Sequence, residues 1–145
     1  MSLILLGGLP GSGKSCHLRD LKEQGWKVFD DFQAKASNDS DQFEHSRRFE
    51  ELIFDLEAGQ MCVVADIRVV HAPYRASATA ALSRRLGAVQ LEIQLFENDP
   101  GRCADNVLLD SCRDPAARLR EIRHWTNHYS KPPGARVLPV WRPSQ

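Results

Sequence analysis

Eight residues near the start of the chain, Gly8-Leu9-Pro10-Gly11-Ser12-Gly13-Lys14-Ser15, have the types and spacing needed to hold a phosphate chain. They match G-x-x-x-x-G-K-[ST] at every fixed position. Glycines let backbone amides converge on phosphate oxygens, the lysine reaches the β- and γ-phosphates, and the serine hydroxyl can hold Mg²⁺. Gly8, Pro10, Gly11, Ser12, Gly13, Lys14, Ser15 and the following Cys16 are therefore the candidate nucleotide-binding residues. Lys14 is also a catalytic candidate and Ser15 a metal ligand.

The surroundings support the match. Leu3 to Leu6 is a short apolar run stopped by Gly7-Gly8, which suits a strand buried on both faces. After Gly13 the pattern turns helical, with Leu18 and Leu21 on one face and Gly25 as the stop. The loop thus follows an apolar strand and opens a helix, the context in which the motif binds phosphate.

Three aspartates fall where such a loop would need acid groups. Asp30 and Asp31 end the predicted strand Trp26 to Phe29, and Asp66 ends the predicted strand Met61 to Ala65. The carboxyl ends of strands are where open α/β sheets bind ligands. Asp66 sits as a Walker-B acid does and would hold Mg²⁺ directly or through water, although a terminal aspartate also serves as a helix-entry residue. A GTPase switch would need a glycine soon after that acid. Asp66-Ile67-Arg68-Val69 has none, and no NKxD guanine-reading motif is present.

The remaining elements alternate. Phe43, Phe49, Leu52, Ile53 and Leu56 mark a helix closed by Gly59, and Tyr74 to Leu86 a further helix closed by Gly87. Val89 to Phe96 predicts a fourth strand. Pro100 opens a helix through Cys103 and Val107 toward Leu109. Asp114-Pro115 starts another, with Leu119, Ile122, Trp125 and Tyr129 at helical spacing, before Pro132-Pro133-Gly134 breaks the chain. Arg136 to Trp141 predicts the fifth strand. Strands alternating with helices imply an α/β protein with a parallel sheet covered on both faces. No repeat, low-complexity tract or long linker divides residues 1–145, so one domain is expected.

At this point the chain resembles the P-loop kinase superfamily, more narrowly its small polynucleotide-kinase-like and adenylate-kinase-like phosphotransferases. GLPGSGKS carries the resemblance, with Asp30-Asp31-Phe32, VVADIR and FENDPGRCADNVLLDSCR extending it through most of the chain. The resemblance implies a three-layer P-loop NTPase fold with a five-stranded parallel sheet, and ATP with Mg²⁺ as cofactors. In polynucleotide kinases a similar Asp-Asp-aromatic segment supplies the base, which makes Asp31 the catalytic candidate. Asp30 is then either a metal-side carboxylate or a second substrate contact. Asp66 holds metal in some similar kinases and contacts acceptor in others.

Arg113 follows the CADNVLLDSC helix where such kinases carry a lid arginine, with Arg118 and Arg120 just beyond, so 106–120 would form a short lid. Arg68 and Arg75 follow the third strand where acceptor-binding arginines are common, and Arg47 and Arg48 lie on the helix often used to cover the acceptor. Asn106 stands where many adenylate-kinase-like proteins place an arginine over adenine. Trp141 could touch the base, or could anchor the chain end. Shikimate kinases carry a glycine run after the third strand that is missing here, and gluconate kinases find only a faint echo in Tyr74-Arg75.

Other features narrow the function. Nineteen basic against nineteen acidic side chains give no net pull toward nucleic acid or membrane. The acids are concentrated early and the fourteen arginines mostly late, so a 5′-hydroxyl nucleic-acid acceptor would need a short arginine path. The expected partner is a small hydroxyl- or phosphate-bearing acceptor, and oligomeric state is left open. Cys16, Cys62, Cys103 and Cys112 show no CxxC spacing and no secretory signal is recognisable, which reads as reduced thiols in the cytoplasm. His124 and His128 have the spacing of two metal ligands but no HExxH glutamate or third ligand. The rival expectation is a nucleotide-binding module that hydrolyses slowly or not at all and acts through a partner; the departure at Asn106 motivates it.

Overall fold

The computed structural model describes residues 1–33, 41–110 and 114–142. Twelve described segments carry the fold. Strands are β1 (Ser2–Gly7), β2 (Lys27–Phe29), β3 (Cys62–Ala65), β4 (Gln90–Phe96) and β5 (Arg136–Leu138). Helices are α1 (Lys14–Glu23), α2 (Phe49–Glu57), α3 (Ala72–Leu86), α4 (Pro100–Leu109) and α5 (Pro115–Thr126), with 3₁₀ turns at Phe43–His45 and Ile67–Val70. The five strands form one parallel sheet in the order β2-β3-β1-β4-β5.

The central strand shows why helices cover both faces. Side chains alternate across a strand, and in β1 Leu3 and Leu5 join one apolar cluster whereas Ile4 and Leu6 join another. The first cluster takes Leu52, Ile53 and Leu56 of α2 and Ala78, Ala81 and Leu82 of α3. The second takes Leu18 and Leu21 of α1 together with Leu138 of β5. A third cluster, built from Leu9, Cys103, Val107, Ile122 and Val140, packs α4 and α5 against the loop after β1. This is the three-layer α/β arrangement that the sequence predicts. Among the described residues no helix is long and apolar enough to cross a membrane.

Strand order places the site. β1 lies between β3 and β4, so the chain runs to one side of β1 through β2 and β3 and to the other through β4 and β5. A reversal of that kind opens a crevice at the carboxyl ends of the strands. The Gly8–Ser15 loop leaves β1 at this crevice.

One predicted element divides in two. The helix expected from Phe43 to Leu56 is a 3₁₀ turn at Phe43–His45 followed by α2 from Phe49. Ser46 is extended, at φ −60° and ψ 139°, and its hydroxyl donates to the Phe32 carbonyl at 2.6 Å. Its oxygen also accepts from the Arg48 amide at 3.1 Å, so Ser46 interrupts one helical turn and starts the next. Phe43 is fully buried instead, stacked on Phe32 at 4.8 Å between ring centroids and edge-on to Phe49 and Tyr74. Phe43→Ala is expected to cost about 3–5 kcal/mol, the range for emptying a buried phenylalanine site. Urea unfolding of the two proteins checks this; a loss under about 1 kcal/mol would mean that the cluster collapses without cost.

Two element ends also move. β5 stops at Leu138 because Pro139 has no amide to continue the ladder, and the chain turns across to the phosphate-type loop. α5 ends at Thr126, short of Tyr129.

Candidate active site

The Gly8–Ser15 loop is held from three directions. Ser12 donates its amide to the Leu9 carbonyl at 3.1 Å, closing the turn. The Trp141 amide donates to the Ser12 carbonyl at 2.8 Å, fastening the segment after β5 to the loop. Asn106, on α4, donates its side-chain amide to the Gly11 carbonyl at 2.8 Å and to the Trp141 carbonyl at 2.7 Å.

Two glycines are required by geometry. Gly11 and Gly13 have φ of 83° and 107°, the left-handed region that side chains disfavour. A Cβ on Gly11 would meet the Cys103 carbonyl oxygen at 2.4 Å, and one on Gly13 would meet the Trp141 Cβ at 2.7 Å. The loop is therefore packed against α4 on one side and the C-terminal segment on the other.

Lys14 opens α1 and folds back over the loop, its ammonium donating to the Gly8 carbonyl at 2.8 Å. Burial pushes its pKa below the ordinary lysine value, and the carboxylates of Asp66, Asp30, Asp31 and Glu121 oppose that shift. The Ser12 hydroxyl is buried with no hydrogen-bond partner. An unpartnered buried hydroxyl and a desolvated ammonium are polar groups short of ligands, which suits a phosphate chain at this loop.

A cavity of about 530 Å³ opens here, lined by Pro10, Gly11, Ser12, Gly13, Lys14, Ser15 and Cys16, by Asp30 and Asp31, and by Asn106 and Trp141. Its opposite wall comes from Asp110, Asp114, Ala117, Arg118 and Glu121. Arg118 pairs with Asp110 at 3.0 Å, and Asp114 caps α5 by accepting from the Ala117 amide at 3.2 Å. This acidic wall did not figure among the sequence candidates. Its signal was present, since 114, 117, 118 and 121 fall at the spacing of one helix face.

Asp30 and Asp31 reach the cavity from the turn after β2. Asp31 has φ 48°, a left-handed conformation that aspartate tolerates better than most residues. Its amide donates to Asp30 Oδ1 at 2.9 Å. The next two amides are fixed to β3: Phe32 donates to the Ala65 carbonyl at 3.3 Å, and Gln33 to Asp66 Oδ2 at 2.8 Å.

Asp66 therefore stands behind the cavity wall and is not among the lining residues. It is buried, and its Oδ1 accepts from the Arg68 amide at 2.9 Å and from the guanidinium at 3.3 Å. Arg68 is paired again with Asp41 at 2.7 Å. Arg75 is buried apart from the cavity, donating to the Val69 carbonyl at 2.8 Å and to Ser130 Oγ at 2.9 Å. Arg48 pairs with Glu51 at 2.9 Å and lies 4.4 Å from the Phe29 ring centroid. Arg113 lies outside the described residues. His124 and His128 stack at 4.7 Å, and among the described residues no group of His, Cys, Asp and Glu is arranged to hold a metal ion.

Comparison with known proteins bears on the fold. No protein-family model and no curated protein sequence matches the chain. Among solved structures it is similar to a gluconokinase from Sinorhizobium meliloti 1021, at 15% identity and TM-score 0.66, over 98% of this chain and 84% of that one. A sugar kinase from Janibacter sp. HTCC2649 matches at 12% identity and TM-score 0.62, over 96% and 83%. A fungal RNA kinase matches at 12% identity and TM-score 0.62, over 100% and 77%. The chain shares the fold of these three structures. Within it, the Asn106 clamp has a physical role: it closes the loop against α4 and the C-terminal segment.

Asn106→Ala would strand the Gly11 and Trp141 carbonyls. An unmade hydrogen bond to a buried group costs about 1–3 kcal/mol, so the unfolding free energy is expected to fall by about that amount. Urea unfolding checks this, and an unchanged unfolding free energy would show that the loop holds its shape without the clamp.

Proposed function

We propose that the protein is an ATP- and Mg²⁺-dependent kinase, a single domain over 1–145, that transfers the γ-phosphoryl group to a small acceptor in the cytoplasm. The observation that carries this reading is the shared cavity. The Lys14 loop and the Asp30-Asp31 turn line one space, so phosphate-binding groups and a carboxylate base face the same contents.

The loop residues Gly8 to Cys16 would hold the nucleotide, with backbone amides and Lys14 on its phosphates and the orphan Ser12 hydroxyl gaining a partner. Asn106 and Trp141 border the same cavity and would flank the base end. Ser15 is the candidate protein ligand for Mg²⁺, which when bound neutralises charge on the phosphates. Asp66, whose Oδ2 accepts one hydrogen bond and keeps a second lone pair, would hold the metal directly or through water.

Asp31 would accept the proton of the attacking acceptor hydroxyl, with Asp30 holding the turn through the Asp31 amide and facing substrate. Lys14, and Arg113 from a short lid over 106–120, would stabilise the charge that spreads over the γ-phosphoryl oxygens. Arg68 and Arg75 keep a substrate-side assignment only through the segments they brace.

Transfer of labelled γ-phosphate to pooled nucleosides, nucleoside monophosphates, sugars, vitamins and 5′-hydroxyl oligonucleotides tests the reading, with Lys14→Ala as the blank. Tight ATP binding without labelled product from any acceptor would instead support a nucleotide-binding module acting through a partner.

A further inference from the structure

Resting on the kinase reading, we infer that Ser46 is a positioning residue for the catalytic base: its hydroxyl, 14 positions from Phe32 in sequence, steadies the strained turn that presents Asp31 to the cavity. Asp31 has φ 48°, a conformation that residues other than glycine adopt at a cost and keep where the surrounding structure over-determines it. The bond from the Asp31 amide to Asp30 Oδ1 is local and exposed. The fold also grips the next residue.

Phe32 is fully buried, its ring stacked on Phe43. Its amide donates to the Ala65 carbonyl at 3.3 Å, and its carbonyl accepts from Ser46 Oγ at 2.6 Å. The Gln33 amide donates to Asp66 Oδ2 at 2.8 Å, so the peptide joining Phe32 to Gln33 is fastened at both ends. A buried ring fixes where a residue lies, whereas bonds at both ends of a peptide fix how its plane is turned. Rotation of that plane is taken up by neighbouring dihedrals, of which the left-handed φ of Asp31 is the strained one.

Ser46 is well placed for this role. It is 6% exposed and extended, and its oxygen accepts from the Arg48 amide at 3.1 Å where α2 begins. That bond leaves the hydroxyl proton for the Phe32 carbonyl. Ser46→Ala removes the donor from a buried carbonyl, and one such bond is comparable in energy to the strain of the turn. The turn then relaxes and the base loses its place, while the Gly8–Ser15 loop, to which Ser46 makes no hydrogen bond, keeps its shape.

A double-mutant cycle tests the inference, using labelled ATP, Mg²⁺ and the member of the acceptor pool that the wild-type protein labels. Misplacing a reacting group by about 1 Å costs up to ~10²-fold, so Ser46→Ala is expected to lower kcat roughly fivefold or more, with KM for ATP within threefold of wild type. A serine that merely supported the fold would lower transfer in any background. In Asp31→Asn protein, where the base is already gone, Ser46→Ala is expected to change kcat less than twofold. A smaller loss than fivefold in the wild-type background, a larger change in KM for ATP, or a further loss of twofold or more in the Asp31→Asn background overturns the inference.

A second measurement needs no turnover. Amide hydrogen exchange is followed by NMR in wild-type and Ser46→Ala protein, with the β1 amides as the internal reference for global stability. The Phe32 and Gln33 amides are expected to exchange at least tenfold faster in the variant, relative to β1. Exchange that accelerates no more at these two amides than in β1 overturns the inference. If ATP binds but no acceptor is labelled, the kinase reading fails, and the exchange rates still decide whether Ser46 holds the turn.

Discussion

Lys14→Ala is expected to lower phosphoryl transfer by at least the ~10²–10³-fold seen on deleting one preorganised donor from an oxyanion site. ATP affinity should fall with it, because the ammonium contributes to binding phosphates in the ground state as well as to transfer. The fold should survive. The lysine is part-buried and gives one neutral carbonyl, Gly8, its hydrogen bond, so alanine removes a desolvated charge together with its attraction to Asp66, Asp30, Asp31 and Glu121, two effects of opposite sign. The melting temperature should therefore stay close to that of wild type as activity disappears, a combination that general misfolding does not produce. Transfer within threefold of wild type would remove Lys14 from the chemistry.

The same lysine gives a pH dependence. Burial lowers its pKa, while a bound triphosphate favours the charged form, so nucleotide binding must raise that pKa again. Linkage then fixes the sign: ATP affinity is full while the ammonium is charged in the free protein, and falls as pH rises through its lowered pKa. The decline should begin below the ordinary lysine range. Calorimetry across the alkaline limb checks this, and the Lys14→Ala protein should show no such limb.

How much of this could be read beforehand depends on what kind of force decides each feature. The Gly8–Ser15 loop was legible because its residues are few, local and needed by the chemistry itself. The sheet was legible because Leu3 to Leu6 and Cys62 to Ala65 are short, apolar on both faces and bounded by turn residues, as doubly covered parallel strands are. The helix expected from Phe43 misled for a tertiary reason: Phe43 and Phe49 share a core cluster without sharing a helix, and their spacing of six does not place them on one face. The aspartates could be located but not ranked. Asp31 and Asp66 both end strands, yet one turns into the cavity while the other is consumed by Gln33 and Arg68, residues close in space and 33 and two positions away in sequence. The arginines show the same limit, since a count of fourteen says nothing of which carboxylate each one meets. Asn106 looked like a missing base contact because its partners, Gly11 and Trp141, lie 95 and 35 positions away.

Asp31→Asn is expected to lower kcat by about 10²–10⁴-fold, the usual contribution of a positioned general base, with KM for ATP within threefold of wild type. Asparagine is the informative replacement for a backbone reason. At φ 48° a β-branched or bulky residue would strain the turn, whereas asparagine tolerates this region as aspartate does. The substitution therefore keeps the Asp30 contact to the residue 31 amide and the bonds that fasten Phe32 to Ala65 and Gln33 to Asp66, and removes the carboxylate's charge and basicity. Glycine at the same position supplies the complementary control, since it fits the backbone at least as well and also lacks a base. If both variants lose transfer yet bind ATP normally and melt at or above the wild-type temperature, the loss belongs to proton acceptance and not to the turn. If Asp31→Asn keeps kcat within threefold while Asp30→Asn loses it, the base is Asp30, and the left-handed turn serves to present that neighbour to the acceptor.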